Sequence, residues 1–194
     1  MRERFSKIVI CDISKSLLET AAERVKKAGL EDLVELVEHD VTDESVFEKL
    51  PAKGSVDLIT FSYSMSMIPD KRAAFKMAKS LLKPDGEGWM GIGDFYSPPT
   101  PMEVTLGNVF GPLKCFEQLC HRTWFRQDGI HFLQDELLKS DMMSDMTLEW
   151  EETLRGPVPF MPFFRPFHGV FVWSTKNPKK SSKKNSKKNS KKSK

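Results

Sequence analysis

The chain has 194 residues, 39% of them apolar, which is enough for one domain with a sizeable core. Ten lysines and no acids fall in residues 176–194, so the remainder holds 20 basic and 27 acidic residues, a formal −7. This balance argues against specific nucleic-acid binding, and no apolar run reaches the about 18 residues of a membrane-spanning helix. Three cysteines without ligand-like spacing and the absence of a signal-peptide pattern indicate an intracellular, cytoplasmic setting.

Apolar periodicity up to residue 96 predicts alternating strands and helices. In order, these are strand 8–12, helix 14–28, strand 33–40, a helical turn near 46–51, strand 56–64, helix 70–82 and strand 89–96. A capping box of Ser16 and Glu19 is expected in the first helix. The predicted inward faces comprise Leu17, Leu18, Ala21, Ala22, Val25 and Ala28 in the first helix and Ala74, Phe75, Ala78, Leu81 and Leu82 in the second. This order indicates an α/β fold with a mostly parallel sheet covered by helices on both faces.

The second half of the chain is less regular. Residues 97–146 combine a proline-rich loop with aromatic and helical pieces, and residues 147–154 and 168–175 predict a closing antiparallel pair of strands. The apolar segment 157–167, PVPFMPFFRPF, has too many prolines for a central strand and predicts a loop. The lysine-rich residues 176–194 predict a disordered tail.

Carboxylates end several of the predicted strands. Ligands of parallel α/β sheets bind at the carboxyl ends of the strands, where Asp12, Asp40, the loop 62–67 and Asp94 are expected. Asp12 can accept hydrogen bonds from ribose hydroxyls and Asp40 from an adenine amino group, so the ends together favour a nucleoside cofactor. Any single Asp in such a position is more often a turn or cap residue.

The segments CDIS, VEHDVTD, VDLITFSYSMSMIPD and LLKPDGEGWMGIGDFY, in this order, resemble class I AdoMet-dependent methyltransferases. Within that class, FSYSMSMIPD, GDFY and HRTWFRQDGIHF (121–132) resemble the methyltransferase part of betaine lipid synthases, and the resemblance covers about residues 7–175. It implies a Rossmann-like class I methyltransferase sheet in a partial domain, residues 1–175, with S-adenosyl-L-methionine (AdoMet) as cofactor.

The resemblance also implies site residues. Its cofactor-binding positions are Asp12, Ile13, Asp40, Val41, Ser62 and Tyr63. The candidate catalytic residues are Asp94, Tyr63 and Tyr96. Aromatic faces can hold a sulfonium or a methylated ammonium, and Asp94 can orient an amine or accept its proton. The alternatives are packing in the core for the aromatic rings and a cap or turn for Asp94.

The glycine-rich turn that follows strand 1 in this family has no counterpart, because no glycine precedes Gly29. We therefore expect the chain to lack strand 1 and its loop, to leave the two neighbouring strands as open edges, and to bind AdoMet weakly. No metal is expected, because the ten-residue gap between His121 and His131 is not a ligand spacing on one helix. Cys11, inside a strand, is expected to be inert.

The implied function is N-methylation of the amine of diacylglyceryl-homoserine in betaine lipid synthesis, with a fused or separate aminocarboxypropyl-transferase as partner. The alternatives are a methyltransferase of another small amine or acid and a non-catalytic Rossmann-like binding module. A nicotinamide-dependent reductase is disfavoured, because neither Tyr63 nor Tyr96 has a lysine four residues later. The apolar segment and lysine tail suit peripheral membrane contact, and the terminal KKSK, with the form of a dilysine signal, suggests the endoplasmic reticulum.

Overall fold

The computed structural model describes residues 4–95, 141–155 and 167–176. Their helices and strands are β1 Ile8–Asp12, α1 Lys15–Lys27, β2 Val34–Glu38, β3 Leu58–Ser62, α2 Lys71–Leu81, β4 Trp89–Phe95, β5 Met146–Arg155 and β6 Phe167–Thr175. Short 3₁₀ turns lie at Glu44–Glu48 and Asp141–Met143. The chain divides into an N-terminal unit, Met1–Val56 with Asp70–Leu81, and a C-terminal unit, Asp57–Pro69 with Leu82–Lys194. The predicted domain boundary near residue 175 stays a prediction.

The N-terminal unit is built on a parallel pair of strands. β1 and β2 are in register from Ile8 opposite Val34 to Asp12 opposite Glu38. A 3₁₀ turn follows β2, and the Val46 side chain within it is completely buried. The predicted order of strands and helices is confirmed, with observed ends within about two residues of the predicted ones.

The start of α1 corrects one prediction. Ser14, not Ser16, is the N-cap residue, and its Oγ accepts a hydrogen bond from Leu17 N at 3.4 Å. Asp12 Oδ1 accepts a hydrogen bond from Ser14 N at 2.8 Å, which turns the chain directly after β1. This turn fixes the first helical residue at Lys15, so a capping box that begins at Ser16 falls inside the helix.

The two helices differ in how far their apolar faces are buried. In α1 only Leu18 is buried, and Leu17 is 59% exposed, so the prediction of a fully inward face is wrong for this helix. The reason is geometric, because among the described residues α1 packs on a sheet of two strands, about 4.8 Å apart, which is too narrow to cover the predicted apolar stripe. For α2 the prediction is confirmed: the buried residues include Ala74, Phe75, Ala78, Leu81 and the adjoining Leu82.

The C-terminal unit contains a mixed sheet in the order β3-β4-β6-β5. β3 and β4 are parallel, whereas β6 is antiparallel to both β4 and β5, so the predicted closing antiparallel pair is confirmed. Alternate residues of β4 and β6 are buried and form the apolar core of this sheet, namely Met90, Ile92, Phe171 and Trp173. The register places Phe95 on β4 directly opposite His168 on β6.

Both sheets have an open parallel edge. Within the described ranges, β1 pairs only with β2, and β3 pairs only with β4. The described strands thus form two sheets, one in each unit, where one sheet was predicted. Open edges on these two strands are what the sequence led us to expect.

Candidate cofactor and acceptor sites

The carboxyl end of β1 presents the Asp12 carboxylate. Asp12 is half-buried, and its backbone oxygen accepts a hydrogen bond from His39 N at 3.1 Å, which ties the ends of β1 and β2 together. Its Oδ1 accepts from Ser14 N, and no described residue bonds its Oδ2. The neighbouring Ile13 side chain is 69% exposed. Asp12 therefore keeps one oxygen available for a hydroxyl donor beside an apolar side chain.

Asp40 follows β2 and is held in a similar local turn. Its Oδ1 accepts hydrogen bonds from both Thr42 N, at 2.8 Å, and Thr42 Oγ1, at 2.7 Å. These two bonds hold the pKa of the exposed Asp40 carboxyl below its ordinary value. Asp40 is therefore ionised at neutral pH, and its second oxygen can accept a hydrogen bond. Val41, between Asp40 and Thr42, is half-buried.

The Cys11 thiol lies close enough to both Asp12 and Asp40 to experience the negative charge of each. Cys11 Sγ lies 3.6 Å from the His39 backbone oxygen. Burial raises the pKa of the Cys11 thiol, and the negative charges of Asp12 and Asp40 raise it further. A thiol that stays neutral is a poor nucleophile, which agrees with the expectation that Cys11 is inert. The negative charges of Asp12 and Asp40 therefore both act at the end of β1, where the charge of Lys49 partly offsets them.

This donor set fits the nucleoside part of AdoMet. Two carboxylates accept hydrogen bonds from hydroxyl and amino groups, such as those of a ribose and an adenine. Asp12 and Ile13 would lie on the ribose side and Asp40 and Val41 on the adenine side of this nucleoside; these roles stay predictions.

The carboxyl end of β3 in the C-terminal unit is formed by Ser62 and Tyr63. Tyr63 has a φ of 51°, in the left-handed region that costs a bulky residue about 1–3 kcal/mol. Its backbone N donates to Gly93 O at 2.8 Å, and its Oη lies 3.0 Å from His168 Nδ1. The residue remains 46% exposed. This turn thus brings the partly exposed Tyr63 phenol, which is hydrogen-bonded to the His168 imidazole, to the end of the sheet.

Tyr63, Phe95 and His168 form a packed cluster of three rings. The centroids are 5.4 Å apart for Tyr63 and Phe95, 5.5 Å for Tyr63 and His168, and 5.4 Å for Phe95 and His168. The centre of the triangle of centroids lies about 3 Å from each, so a methylated ammonium does not fit among the three rings. The rings therefore pack on one another, and only their outer surfaces can contact a cation.

His168 is the residue of this cluster that the sequence analysis did not select. Its position follows from the register of β4 and β6, which puts it opposite Phe95. The sequence did predict this antiparallel strand, but not which residue of GDFY would face His168. A register argument, not a motif, would have been needed to find it.

Asp94 is placed differently from Asp12 and Asp40. It is 1% exposed, its Oδ2 accepts from Ser66 N at 2.8 Å, and its Oδ1 accepts from Phe95 N at 2.7 Å. These contacts anchor the loop after β3 to β4. Its predicted role as orienting or proton-accepting group stays a prediction, and the observed geometry is that of a structural anchor.

Some predicted residues lie outside the described ranges: Tyr96, the segment 121–132 with His121 and His131, most of the apolar segment 157–167 and the lysine tail from residue 177. In the part of the chain that the structure describes, no group of three or more His, Cys, Asp or Glu side chains is arranged to hold a metal ion. No helix of that part is long and apolar enough to span a membrane.

The family described as "Methyltransferase domain" matches residues 1–87, which include both acidic strand ends of the N-terminal unit and the loop after β3. Residues 1–87 are therefore similar to a methyltransferase domain. This match and the mixed α/β architecture confirm the prediction of a Rossmann-like class I fold with AdoMet as cofactor. No curated protein matches the chain.

Solved structures with the same fold match most of this chain. YcgJ from Bacillus subtilis has a TM-score of 0.59 and 16% identity, over 89% of this chain and 83% of YcgJ. A SAM-dependent methyltransferase from Methanosarcina mazei has a TM-score of 0.60 and 12% identity, over 88% of this chain and 82% of its own. The [4+2]-cyclase SpnF, at 0.60 and 12%, covers 88% of this chain and 67% of SpnF. Because SpnF is a cyclase, this fold alone does not specify the reaction.

Proposed function

We propose that this domain transfers methyl groups from AdoMet to the amine of diacylglyceryl-homoserine, the headgroup reaction of betaine lipid synthesis. The observation that carries the proposal is the partly exposed aromatic surface of Tyr63 and Phe95 at the end of β3 and β4. It lies within FSYSMSMIPD and GDFY, two of the segments that resemble betaine lipid synthases. An outer aromatic surface can attract an ammonium group as it gains methyl groups.

The chemistry asks for positioning more than for acid–base catalysis. When bound, AdoMet supplies an electrophilic methyl group on a sulfonium. In the chain itself, Asp12 and Asp40 would hold the nucleoside through ribose and adenine donors, and Ser62 and Tyr63 would border the methyl acceptor. Holding the two reactants in line and away from water supplies most of the rate in such a reaction.

A lipid acceptor is supported by the sheet face that carries the ring cluster. Strand register puts Leu58, Trp89 and Trp150 on the same face as Phe95 and His168, and all three are exposed. Gly91 and Gly93 leave the middle of that face flat, since a Cβ at either would have ample room. Acyl chains of the substrate can cover such apolar surface favourably, which free homoserine cannot do.

The cofactor site is tested by Asp12→Ala, with Glu23→Ala on the exposed face of α1 as control. Calorimetric titration of the 194-residue chain with AdoMet should give a weak Kd, above about 10 μM, which Asp12→Ala raises at least about tenfold. Glu23→Ala should leave the Kd unchanged. Equal affinities in the two variants would remove Asp12 from the cofactor site.

The acceptor is tested by mass spectrometry of products formed with AdoMet and either diacylglyceryl-homoserine in mixed micelles or free homoserine. Methylated lipid at a rate at least about tenfold above that for free homoserine supports the proposal. Faster methylation of free homoserine would indicate the small-amine alternative. AdoMet binding without methylation of any amine would indicate a binding module.

A further inference from the structure

We propose that His168 and Tyr63 form a proton-relay pair, through which the proton of the acceptor ammonium leaves before each methyl transfer. This inference rests on the proposed function, because it assumes an amine acceptor next to Tyr63. It assigns a role to His168, which neither the family resemblance nor the sequence motifs select. Tyr63 would contact the substrate, and His168 would act through Tyr63 as a positioning residue that also holds the proton.

The geometry of the pair is fixed from both sides. The Tyr63 Oη and His168 Nδ1 atoms are 3.0 Å apart, although 105 positions separate the two residues. Tyr63 is held by its backbone bond to Gly93 O, and His168 is held by its place opposite Phe95 in the β4–β6 register. Neither side chain needs to move to make the bond, so the pair is organised before substrate binds.

The backbone of Tyr63 supports a functional reading of this bond. Its φ of 51° is unfavourable for a tyrosine, and a smaller residue would make the same turn more easily. The turn aims the phenol at His168 while the ring stays partly exposed. A tyrosine that served only to pack the core would be buried and would not need a strained backbone.

The proposed step moves one proton and no electrons between molecules. The acceptor ammonium gives an N–H proton to Tyr63 Oη as the Tyr63 O–H proton passes to His168 Nδ1. The amine gains a free electron pair, the phenol is regenerated, and the imidazole becomes an imidazolium that returns its proton to solvent. Each of three successive methylations releases one proton, so the pair would act in each of them.

Of the titratable groups on the described strands around this pair, Glu152 on β5 lies opposite Val170, on the same sheet face as His168. Asp94 on β4 lies opposite Gly169, on the other face. Both carboxylates are unchanged in the variants below, so a difference between variants reports on the tyrosine–histidine pair.

The first test does not require activity. Nitrogen-15 NMR of the histidine rings, with the His168 signals assigned by their loss in His168→Gln, should show a neutral ring protonated at Nε2, with Nδ1 accepting the phenol hydrogen bond. In Tyr63→Phe the Nδ1 signal should move to that of a ring without this bond. A His168 ring protonated at Nδ1 would donate to the phenol oxygen, and the relay would be overturned.

The second test measures methylation rates. His168→Gln keeps a hydrogen-bond acceptor for the phenol but cannot take up its proton, so kcat should fall about 100-fold at neutral pH with an unchanged Kd for AdoMet. The loss should shrink at least about tenfold above the pKa of the substrate amine, where the substrate needs no base. Thr20→Val, which removes an exposed hydroxyl from α1 outside both proposed sites, is the control.

The outcomes separate the two proposals. Full activity in His168→Gln, or a loss that is the same at every pH, would show that the bond is only structural. If no amine is methylated by the unmodified chain, the proposed function fails, whereas the NMR result still decides whether the pair has the polarity of a relay.

Discussion

The strand ends of the two units use the same residue, aspartate, in opposite ways. In the N-terminal unit, Asp12 and Asp40 accept from backbone N–H groups two residues later, and each keeps an oxygen for other donors. In the C-terminal unit, Asp94 accepts from Ser66, 28 positions away, and is buried. Asp94 also accepts from the adjacent Phe95, so both of its oxygens are used by the protein. In these strands an Asp at the end is therefore a candidate ligand site where one carboxylate oxygen stays available, and a structural anchor where both are used.

The largest expected effect comes from removing the anchor. Asp94→Ala leaves two backbone N–H groups, of Ser66 and Phe95, without their buried acceptor, and should lower the free energy of unfolding by about 3 kcal/mol. Urea unfolding measures this change.

The control for that experiment is Asp57→Ala, in the same unit. The Asp57 carboxylate is exposed and pairs with Lys83 at 2.7 Å, so its removal should leave the unfolding midpoint almost unchanged. Similar losses in both variants would contradict the distinction between anchored and open carboxylates.

A smaller effect is expected where the C-terminal unit closes another long-range contact. A Cβ on Gly88 would lie 2.4 Å from Lys83 O and 2.9 Å from Leu82 Cβ, at the turn whose backbone bonds Thr175 on β6. Gly88→Ala should therefore lower the free energy of unfolding by about 2 kcal/mol, measured in the same urea experiment.

Gly93→Ala is the matched control, because its nearest neighbour, Val170 Cγ2, is 4.0 Å from the added Cβ. It should change the stability by less than about 1 kcal/mol. A larger loss at Gly93 than at Gly88 would show that the turn before β4 is not as closely packed as its distances indicate.

The sequence predicted what depends on local pattern. Helical spacing found α1 and α2, and β-branched or aromatic runs found the strands, because both signals lie within about ten residues. It did not predict the burial of Asp94 or the choice of His168, because both depend on contacts across many positions. The exposure of Leu17 was missed for the same reason, since the sequence of a helix does not determine the width of the sheet on which it packs.

The smallest expected effect concerns the open carboxylate of Asp40. Thr42→Val removes the Oγ1–H donor and keeps the side-chain shape, so the pKa of Asp40 should rise toward its ordinary value, as measured by NMR titration. Thr42→Ser, which keeps the hydroxyl, should leave the pKa lowered. An aspartate carboxyl whose pKa is lowered in the folded state stabilises the fold at pH values above its unfolded pKa of about 3.9. This contribution is lost as the pH falls through the pKa of the folded state.

Because Asp40 is exposed, water screens this contribution, and at neutral pH Thr42→Val should cost less than about 0.5 kcal/mol. Acid unfolding of the variant should therefore begin at a pH only slightly higher than in the unmodified protein. A loss at neutral pH as large as that of Asp94→Ala would mean that Asp40 is also an anchor. The comparison of the two strand ends would then fail, and with it the reason for placing a ligand at Asp40.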